Sequence, residues 1–238
     1  MRNLLSTKDQ RQLRLMETLI QHRDWMKLHE LADELGCTER ILKSDLNELR
    51  AAFPTIDIQS SVNGIMIDLE VNTSVEDVYQ YFLAHSQSFR LLEYMFFNEG
   101  LPIYRTIENL HSSNANLYRL GRNITKTLST QFQIELSFTP SEIRGNEIDI
   151  RYFFAQYFSE RYYFLDWPFP DLPEEDLTEF ADFFYKVTNY PMRFSIYRMY
   201  KLMIAISIYR IKNGHFIDLP NHFFDDYYPL LMNIPNFE

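Results

Sequence analysis

Residues 28–53 hold two short amphipathic segments separated by Gly36 and Cys37, and this pattern constrains the fold more than any other in the chain. The first segment is apolar on one face, and Thr38 is placed to cap the second. One face of the second segment carries four apolar residues: Leu42, Leu46, Leu49 and Phe53. Two short helices joined by a tight glycine-containing turn predict a helix-turn-helix.

The stretch that follows alternates apolar and polar residues around Asn63-Gly64, a strong short-range signal for a β-hairpin. Helix, turn, helix and hairpin in this order predict a winged helix. At about 100° per residue, a set of polar side chains lies opposite the apolar stripe or on its flank: Arg40, Lys43, Ser44 and Asn47. These residue types bind base edges and phosphates, so we expect them to contact DNA. The alternative is an ordinary solvated helix face, or a winged helix that docks proteins.

A second copy of the pattern begins about 75 residues further along the chain. Residues 75–98 are predicted to form one helix, which Gly100-Leu101-Pro102 interrupts. Residues 103–110 and 113–128 then predict a second helix-turn-helix. Residues 132–145 alternate like a second wing, with its turn at Pro140-Ser141.

The last helix of this second module has a cationic outward face formed by Arg119, Arg122 and Lys126. No Asp or Glu occurs between Glu108 and Glu135, so no sequence neighbour neutralises these cations. We therefore expect all three to contact DNA phosphates.

The charge balance opposes a general nucleic-acid coating function, because the chain has a net charge of −10. Acidic residues exceed basic ones in each third of the chain, with eleven against nine in residues 1–69. Non-specific affinity should be weak. Binding would then depend on locally presented cations, on helix N-termini aimed at phosphates and on DNA shape.

The composition also indicates in which cellular compartment the protein is expected. The single cysteine, Cys37, allows no internal disulfide and is consistent with a reducing cytoplasm. The chain starts with a polar segment, so we expect no signal peptide. Its longest apolar run, residues 202–208, is too short to span a bilayer and predicts a buried core helix instead. A cytoplasmic protein without membrane contact is the expectation.

The predicted fold class is mainly α, with three parts. Residues 1–69 form the first winged helix, and residues 70–165 form the second with an aromatic-rich closing helix. Residues 166–238 comprise a proline-rich linker (166–173) and an incomplete helical domain. Because these last residues hold few elements, we expect the native protein to continue beyond residue 238.

The ordered segments resemble the N-terminal part of the Mga/AtxA family of virulence regulators from Gram-positive bacteria. The resemblance covers essentially the whole chain and rests on residues 28–49, 113–124, 143–154 and 201–215. Its most specific stretch is Gly145-Asn146-Glu147 followed by Ile150-Arg151. The resemblance implies two winged helices followed by a phosphotransferase-regulated domain (PRD). It also implies promoter DNA as a partner, phosphotransferase-system phosphocarrier proteins as further partners, and a homodimer or higher oligomer.

One departure from the broader class affects the regulatory part. The resemblance places a phosphorylatable histidine where this chain has Met203. His215 and His222 are the histidines left in this region, so they become the candidate phosphorylation sites, with His215 preferred. The alternative for each is a structural or surface histidine. Residues 183–217 contain six Lys/Arg and no acid, which predicts either a docking surface for an acidic group or a core helix with snorkelling cations.

The sequence does not support a catalytic function. No nucleotide-binding, metalloprotease, dithiol or serine-hydrolase motif occurs, so we expect neither an enzyme nor a cofactor or metal site. The acidic run Glu174-Glu175-Asp176 is interpreted as capping of a helix start. The expected function is a DNA-binding transcriptional activator responsive to sugar phosphotransferase signalling. The rivals are a winged-helix protein-interaction module and an RNA-binding antiterminator.

Overall fold

The computed structural model describes four stretches of the chain: 1–69, 74–163, 166–188 and 194–218. They are mostly helical, with two separate two-stranded hairpins, so the predicted fold class is confirmed. The chain divides into two compact units, one spanning Arg2–Arg90 and the other beginning at Leu91. The three-part division expected from the sequence stays a prediction.

The first unit has the predicted order of helices and strands: α1 Thr7–His22, α2 Leu28–Glu34, α3 Glu39–Ala52, β1 Ile56–Ser61, β2 Gly64–Leu69 and α4 Val75–His85. The Ser6 side chain caps α1 by accepting from the Asp9 N–H, and Thr38 caps α3 by accepting from the Ile41 N–H. The apolar stripe predicted on α3 is buried, since Leu42, Leu46 and Leu49 are each no more than 2% exposed.

The first hairpin differs from the prediction by one position at its turn. Ser61 pairs with Gly64, so the two-residue loop is Val62-Asn63 and Gly64 already belongs to β2. Gly64 has φ +130°, and a Cβ there would lie 2.0 Å from the Met26 carbonyl oxygen. Met26 and Ile65 exchange backbone hydrogen bonds at this point. Only glycine admits so close an approach of two backbones.

The second unit contains the repeat of the pattern and the helices after it: α6 Ile103–Leu110, α7 Asn114–Leu128, β3 Glu135–Phe138, β4 Ser141–Arg144, α8 Glu147–Tyr162, α9 Thr178–Thr188 and α10 Phe194–Lys212. A 3₁₀ turn, Glu174–Leu177, precedes α9. Ser113 caps α7, and the second wing turns at Thr139-Pro140, with Ser141 starting β4. The second helix-turn-helix and its hairpin are therefore confirmed, with the turn shifted by one residue.

The single helix expected over residues 75–98 is wrong. It is broken into α4 (Val75–His85) and α5 (Gln87–Phe97) at Ser86, whose backbone is extended with ψ 126°. The break separates two packing partners: Phe82 on α4 contacts Phe53, whereas Phe96 on α5 contacts Phe154 of α8. Packing of the two halves against different partners thus overrides the helical periodicity of this segment.

The proline-rich segment is non-helical, as predicted, but it is more than a spacer. Phe169 is 1% exposed and its ring contacts those of Phe96, Phe158 and Tyr209. The Trp167 indole N–H donates to the Leu172 carbonyl oxygen at 2.7 Å. Residues 166–173 therefore form part of the aromatic core around α5, α8 and α10.

The apolar run in α10 is buried, as predicted, since Leu202, Ala205 and Ile206 have no exposed surface. α10 packs on α8 and α9. In the described part of the chain, no helix is both long enough and apolar enough to cross a bilayer.

A buried carboxylate joins α1 to α3 in the first unit. Asp45 is 2% exposed and lies on the buried side of α3, among its apolar residues. Its oxygens accept from Arg11 Nε at 2.6 Å, Arg11 Nη2 at 3.1 Å and Gln12 Nε2 at 3.0 Å. The bidentate pair fixes the orientation of α1 on α3 more narrowly than apolar contacts alone would.

We predict that Asp45→Ala destabilises the first unit by about 3 kcal/mol, because it leaves the Arg11 guanidinium without its partner in a largely buried position. Glu48→Ala is the matched control on the same helix. Its exposed ion pair with Lys8 should contribute less than about 1 kcal/mol, and Gln12, which also donates to Glu48, keeps its bond to Asp45 in this variant. Urea unfolding of both variants measures the difference, and equal losses would show that the Asp45 contact is not structural.

Candidate nucleic-acid interface

The first recognition helix, α3, presents the polar face predicted for it. Arg40, Lys43, Ser44 and Asn47 are all exposed. Lys43 lies 3.9 Å from Glu39 one turn earlier, a solvent-exposed pair of little energetic weight. Asn47 accepts a hydrogen bond from Arg50 through Oδ1 at 3.3 Å. The face can therefore offer two cations and an amide to a ligand.

Two cations missed by the sequence reasoning hold the first wing against the helix-turn-helix. Arg50, on α3, donates from Nε to the Ile58 carbonyl oxygen at 3.0 Å and from Nη2 to Ser60 Oγ at 2.5 Å. Lys27, just before α2, donates to the Val62 carbonyl oxygen at 3.1 Å, at the tip of the wing. No sequence signal identifies these contacts, because each depends on the paired strands. Arg50 therefore attaches the wing to α3, and Lys27 attaches its tip to the start of α2.

The second recognition helix, α7, presents Arg119, Arg122 and Lys126, all exposed as predicted. Arg119 donates from Nη2 to Asn116 Oδ1 at 2.8 Å, which orients its guanidinium along the helix. Opposite this face, Leu117, Ile124 and Leu128 are buried. The outward face of α7 is therefore cationic, and its inward face packs in the core.

A groove of about 360 Å³ separates α7 from β3, and it places an acid near two of the cations. Arg122, Lys126 and Glu135 all line it. Glu135 is distant from these side chains in sequence, but β3 packs on α7 and brings Glu135 beside that helix. The Leu136 N–H donates to Thr125 Oγ1 at 3.1 Å, which anchors the strand to the helix across the groove. Glu135 therefore reduces the positive potential on one side of α7.

A buried charge cluster lies at the other end of the second unit. Arg210, on α10, is 1% exposed. It donates to Glu147 from Nε at 3.1 Å and from Nη2 at 2.7 Å, and to Glu99 from Nη1 at 3.0 Å. Arg151 also donates to Glu147, at 2.8 Å. Burial raises the pKa of Glu147, but the two guanidinium groups outweigh it and leave that pKa below its ordinary value.

His215 belongs to this cluster. Its Nε2 lies 2.9 Å from Glu99 Oε2, its carbonyl oxygen accepts from Arg151 at 3.0 Å, and its side chain is 31% exposed. Arg210 is bound by the carboxylates of Glu99 and Glu147, so it is not free to bind a phosphoryl group on His215. His222 lies outside the described residues.

The sequence offered the cations of residues 183–217 as a possible docking surface, and this prediction is wrong for three of them. Arg198, Lys201 and Arg210 are all buried. The Glu174 carboxylate forms ion pairs with Arg198 Nη1 at 3.5 Å and with Lys201 Nζ at 3.4 Å. It therefore binds α10 in addition to starting the 3₁₀ turn. These cations hold the helices together, because partners distant in sequence neutralise them.

Three family models match the chain in succession. The M protein trans-acting positive regulator (MGA) HTH domain matches residues 6–65, the Mga helix-turn-helix domain matches residues 71–158, and the MGA PRD domain matches residues 173–238. Their order is that of the two winged modules and the helices after them. The chain belongs to the Mga family.

Two curated relatives agree with this assignment. A protein named "Putative trans-acting regulator" from Streptococcus pneumoniae serotype 4 is 46% identical over 226 residues, covering 95% of this chain and 46% of that protein. The capsule synthesis positive regulator AcpA of Bacillus anthracis is 25% identical over 211 residues, covering 86% of this chain and 43% of AcpA. The chain thus spans less than half the length of either relative.

The stretch that most specifically resembles the Mga family has a clear physical role in this structure. Gly145 follows β4 with φ +150°, and a Cβ there would lie 2.8 Å from the Gln133 carbonyl oxygen. Asn146 caps α8 by accepting from the N–H groups of Ile148 and Asp149. Glu147 and Arg151 then enter the charge cluster. The motif turns the chain from the wing into α8 and places two charged side chains against α10.

Proposed function

We propose that this chain is a cytoplasmic transcriptional activator that binds double-stranded promoter DNA through both winged helices. The observation that carries the proposal is the recognition helix α7, whose outward face presents three exposed cations beside a wing. The match of this chain to two helix-turn-helix family models supports the proposal. The name of AcpA, a capsule synthesis positive regulator, favours activation of virulence genes. The family resemblance favours a homodimer or higher oligomer as the bound form.

Substituting Arg119, Arg122 and Lys126 with Ala is predicted to weaken binding similarly on all DNA sequences, because phosphate contacts carry no sequence information. The slope of log affinity against log salt should flatten by roughly one unit per lost contact. Fluorescence anisotropy or mobility shifts with promoter DNA at several salt concentrations measure both quantities.

A pair of double variants controls for overall charge. Arg122→Ala with Lys126→Ala should flatten the slope, whereas Lys186→Ala with Lys212→Ala removes the same charge from exposed positions outside the winged module and should leave it unchanged. An unaltered slope in the triple variant would show that α7 is not part of the binding surface.

The same measurements on the unmodified protein test the rival functions. Binding of RNA but not DNA would favour an antiterminator. Binding of neither would favour a protein-interaction module.

Base reading by the first recognition helix is a separate prediction. Arg40 and Asn47 match guanine and adenine edges respectively, and Ser44 can bond to either, so loss of a good bidentate contact should cost about 1–3 kcal/mol of discrimination. Site selection from a randomised library by Asn47→Ala, against the unmodified protein, measures this. Lys43→Ala is the control, since we assign Lys43 to phosphate contact. An unchanged selection profile for Asn47→Ala would leave DNA shape as the source of specificity.

We also propose that the chain responds to sugar phosphotransferase signalling through a phosphohistidine at His215, with His222 as the second candidate. Partial exposure makes the His215 ring accessible, and a phosphoryl group on Nε2 would face the Glu99 carboxylate. Modification there should therefore break the His215–Glu99 contact. Met203, where the family resemblance places a histidine, is half-buried on α10.

Incubation with phosphoenolpyruvate, enzyme I and the phosphocarrier protein, followed by mass spectrometry under conditions that preserve acid-labile phosphate, should locate the modification at His215. His215→Ala should abolish it, and His222→Ala should leave it in place. The opposite dependence would assign the site to His222. Phosphate on neither residue would show that this part of the chain is not the phosphoacceptor.

A further inference from the structure

Glu99 occupies a junction between the second winged module and the helices that follow it. It lies in the loop between α5 and α6, its side chain is 7% exposed, and its two carboxylate oxygens contact different parts of the unit. Carboxylates buried to this degree are held by several donors, because an uncompensated charge there would be costly.

One oxygen binds the second wing. The Ile143 N–H of β4 donates to Glu99 Oε1 at 3.3 Å, and the neighbouring Gly100 N–H donates to the Ser141 carbonyl oxygen at 2.7 Å. Ser141 and Ile143 lie two residues apart on one side of the strand, the side turned away from β3. Residues 99 and 100 therefore occupy the outer edge of the hairpin and satisfy its free backbone groups.

The other oxygen binds the end of α10. Glu99 Oε2 lies 3.0 Å from Arg210 Nη1 and 2.9 Å from His215 Nε2. Since Arg210 is fully buried and also bound by Glu147, its position is fixed. His215 is the partly exposed member of the set and the one whose contact can be changed from solvent.

We propose that Glu99 is a positioning residue that couples the chemical state of His215 to the second wing. A negative group placed at His215 repels the Glu99 carboxylate, and movement of that carboxylate releases the Ile143 N–H from its acceptor. β4 then loses an anchor, and β3, which pairs with β4 and lines the groove beside Arg122 and Lys126, shifts relative to α7. A change at the end of α10 thereby reaches the surface assigned to DNA.

The coupling itself does not depend on DNA binding, although its consequence for affinity rests on the proposed function. His215→Glu places a second carboxylate beside Glu99, whereas His215→Gln keeps a neutral side chain able to donate. Asn213→Asp adds the same charge as His215→Glu at an exposed position two residues away. Amide hydrogen exchange at Ile143, resolved by NMR, reports the state of the anchor.

Exchange of the Ile143 amide should be about tenfold faster in His215→Glu, as loss of a hydrogen bond to a charged acceptor predicts. His215→Gln and Asn213→Asp should match the unmodified protein. Amides in the middle of α7 should exchange at the original rate in all three, which separates local release of the wing from general loss of stability. Glu99→Gln should reproduce the faster exchange, because its amide oxygen turns toward the Arg210 donor and its N–H₂ group, which cannot accept a hydrogen bond, then faces the Ile143 N–H.

Equal exchange at Ile143 in His215→Glu and the unmodified protein would overturn the coupling, as would an equal effect of Asn213→Asp. Promoter affinity, measured on the same variants, is expected to fall only where Ile143 exchange rises, with the salt slope unchanged because no phosphate contact is removed. Faster exchange in a protein that binds no DNA at all would support the coupling and reject the proposed function. Faster exchange with unchanged affinity in a protein that does bind DNA would reject transmission to the interface.

Discussion

The buried guanidinium of Arg210 is the constraint on which the second unit depends. A charge with 1% exposure is tolerated only where good hydrogen-bond geometry compensates its desolvation, and Glu99 and Glu147 together provide that geometry. Glu147 opens α8, Glu99 follows α5, and Arg210 is on the last turn of α10. One side chain therefore determines where three helices meet. Apolar packing among the aromatic rings supplies most of the burial, but it specifies relative rotation less strictly than a bidentate ion pair does.

The first unit uses the same device on a smaller scale. Asp45 on α3 accepts from Arg11 and Gln12 on α1, and aliphatic side chains of both helices are buried in the same unit. In the first unit the buried carboxylate is on the recognition helix itself, and in the second the buried carboxylates join α5, α8 and α10. The exposed side chains expected to touch DNA take no part in either buried ion pair. This separation lets the exposed face vary without a cost in stability. It also means that the direction of each recognition helix is determined by residues on its buried side.

Local patterns predicted much of this fold from the sequence. The cap at Thr38, the stripe on α3 and the two hairpins each depend on residues close together in the chain, so periodicity and turn chemistry suffice to place them. Ser86 carries no such signal, since serine is only mildly unfavourable in a helix, and the break there arises from tertiary packing.

The candidate site was predictable to the same extent. Exposure of the cations on α7 follows from helix geometry alone. The partners of buried charges do not, because Glu99 and Arg210 are 111 residues apart and nothing in their surroundings in sequence identifies the pair. The cation-rich region at 183–217 shows the consequence: counted in sequence it suggests a binding surface, yet folding neutralises three of its members.

The same distinction bears on how an acidic chain could bind DNA, the role proposed for it. Net charge sums every group, but the potential at a surface depends on what lies within about a Debye length, roughly 8 Å at physiological salt. Within the second unit, Glu99 and Glu147 are buried and paired with Arg210, so their charges are largely cancelled locally. Glu135 is different, because it lines the groove that Arg122 and Lys126 also line. The position of β3 therefore sets how strongly that acid opposes the cations, which makes the attachment of the second wing an electrostatic variable as well as a steric one.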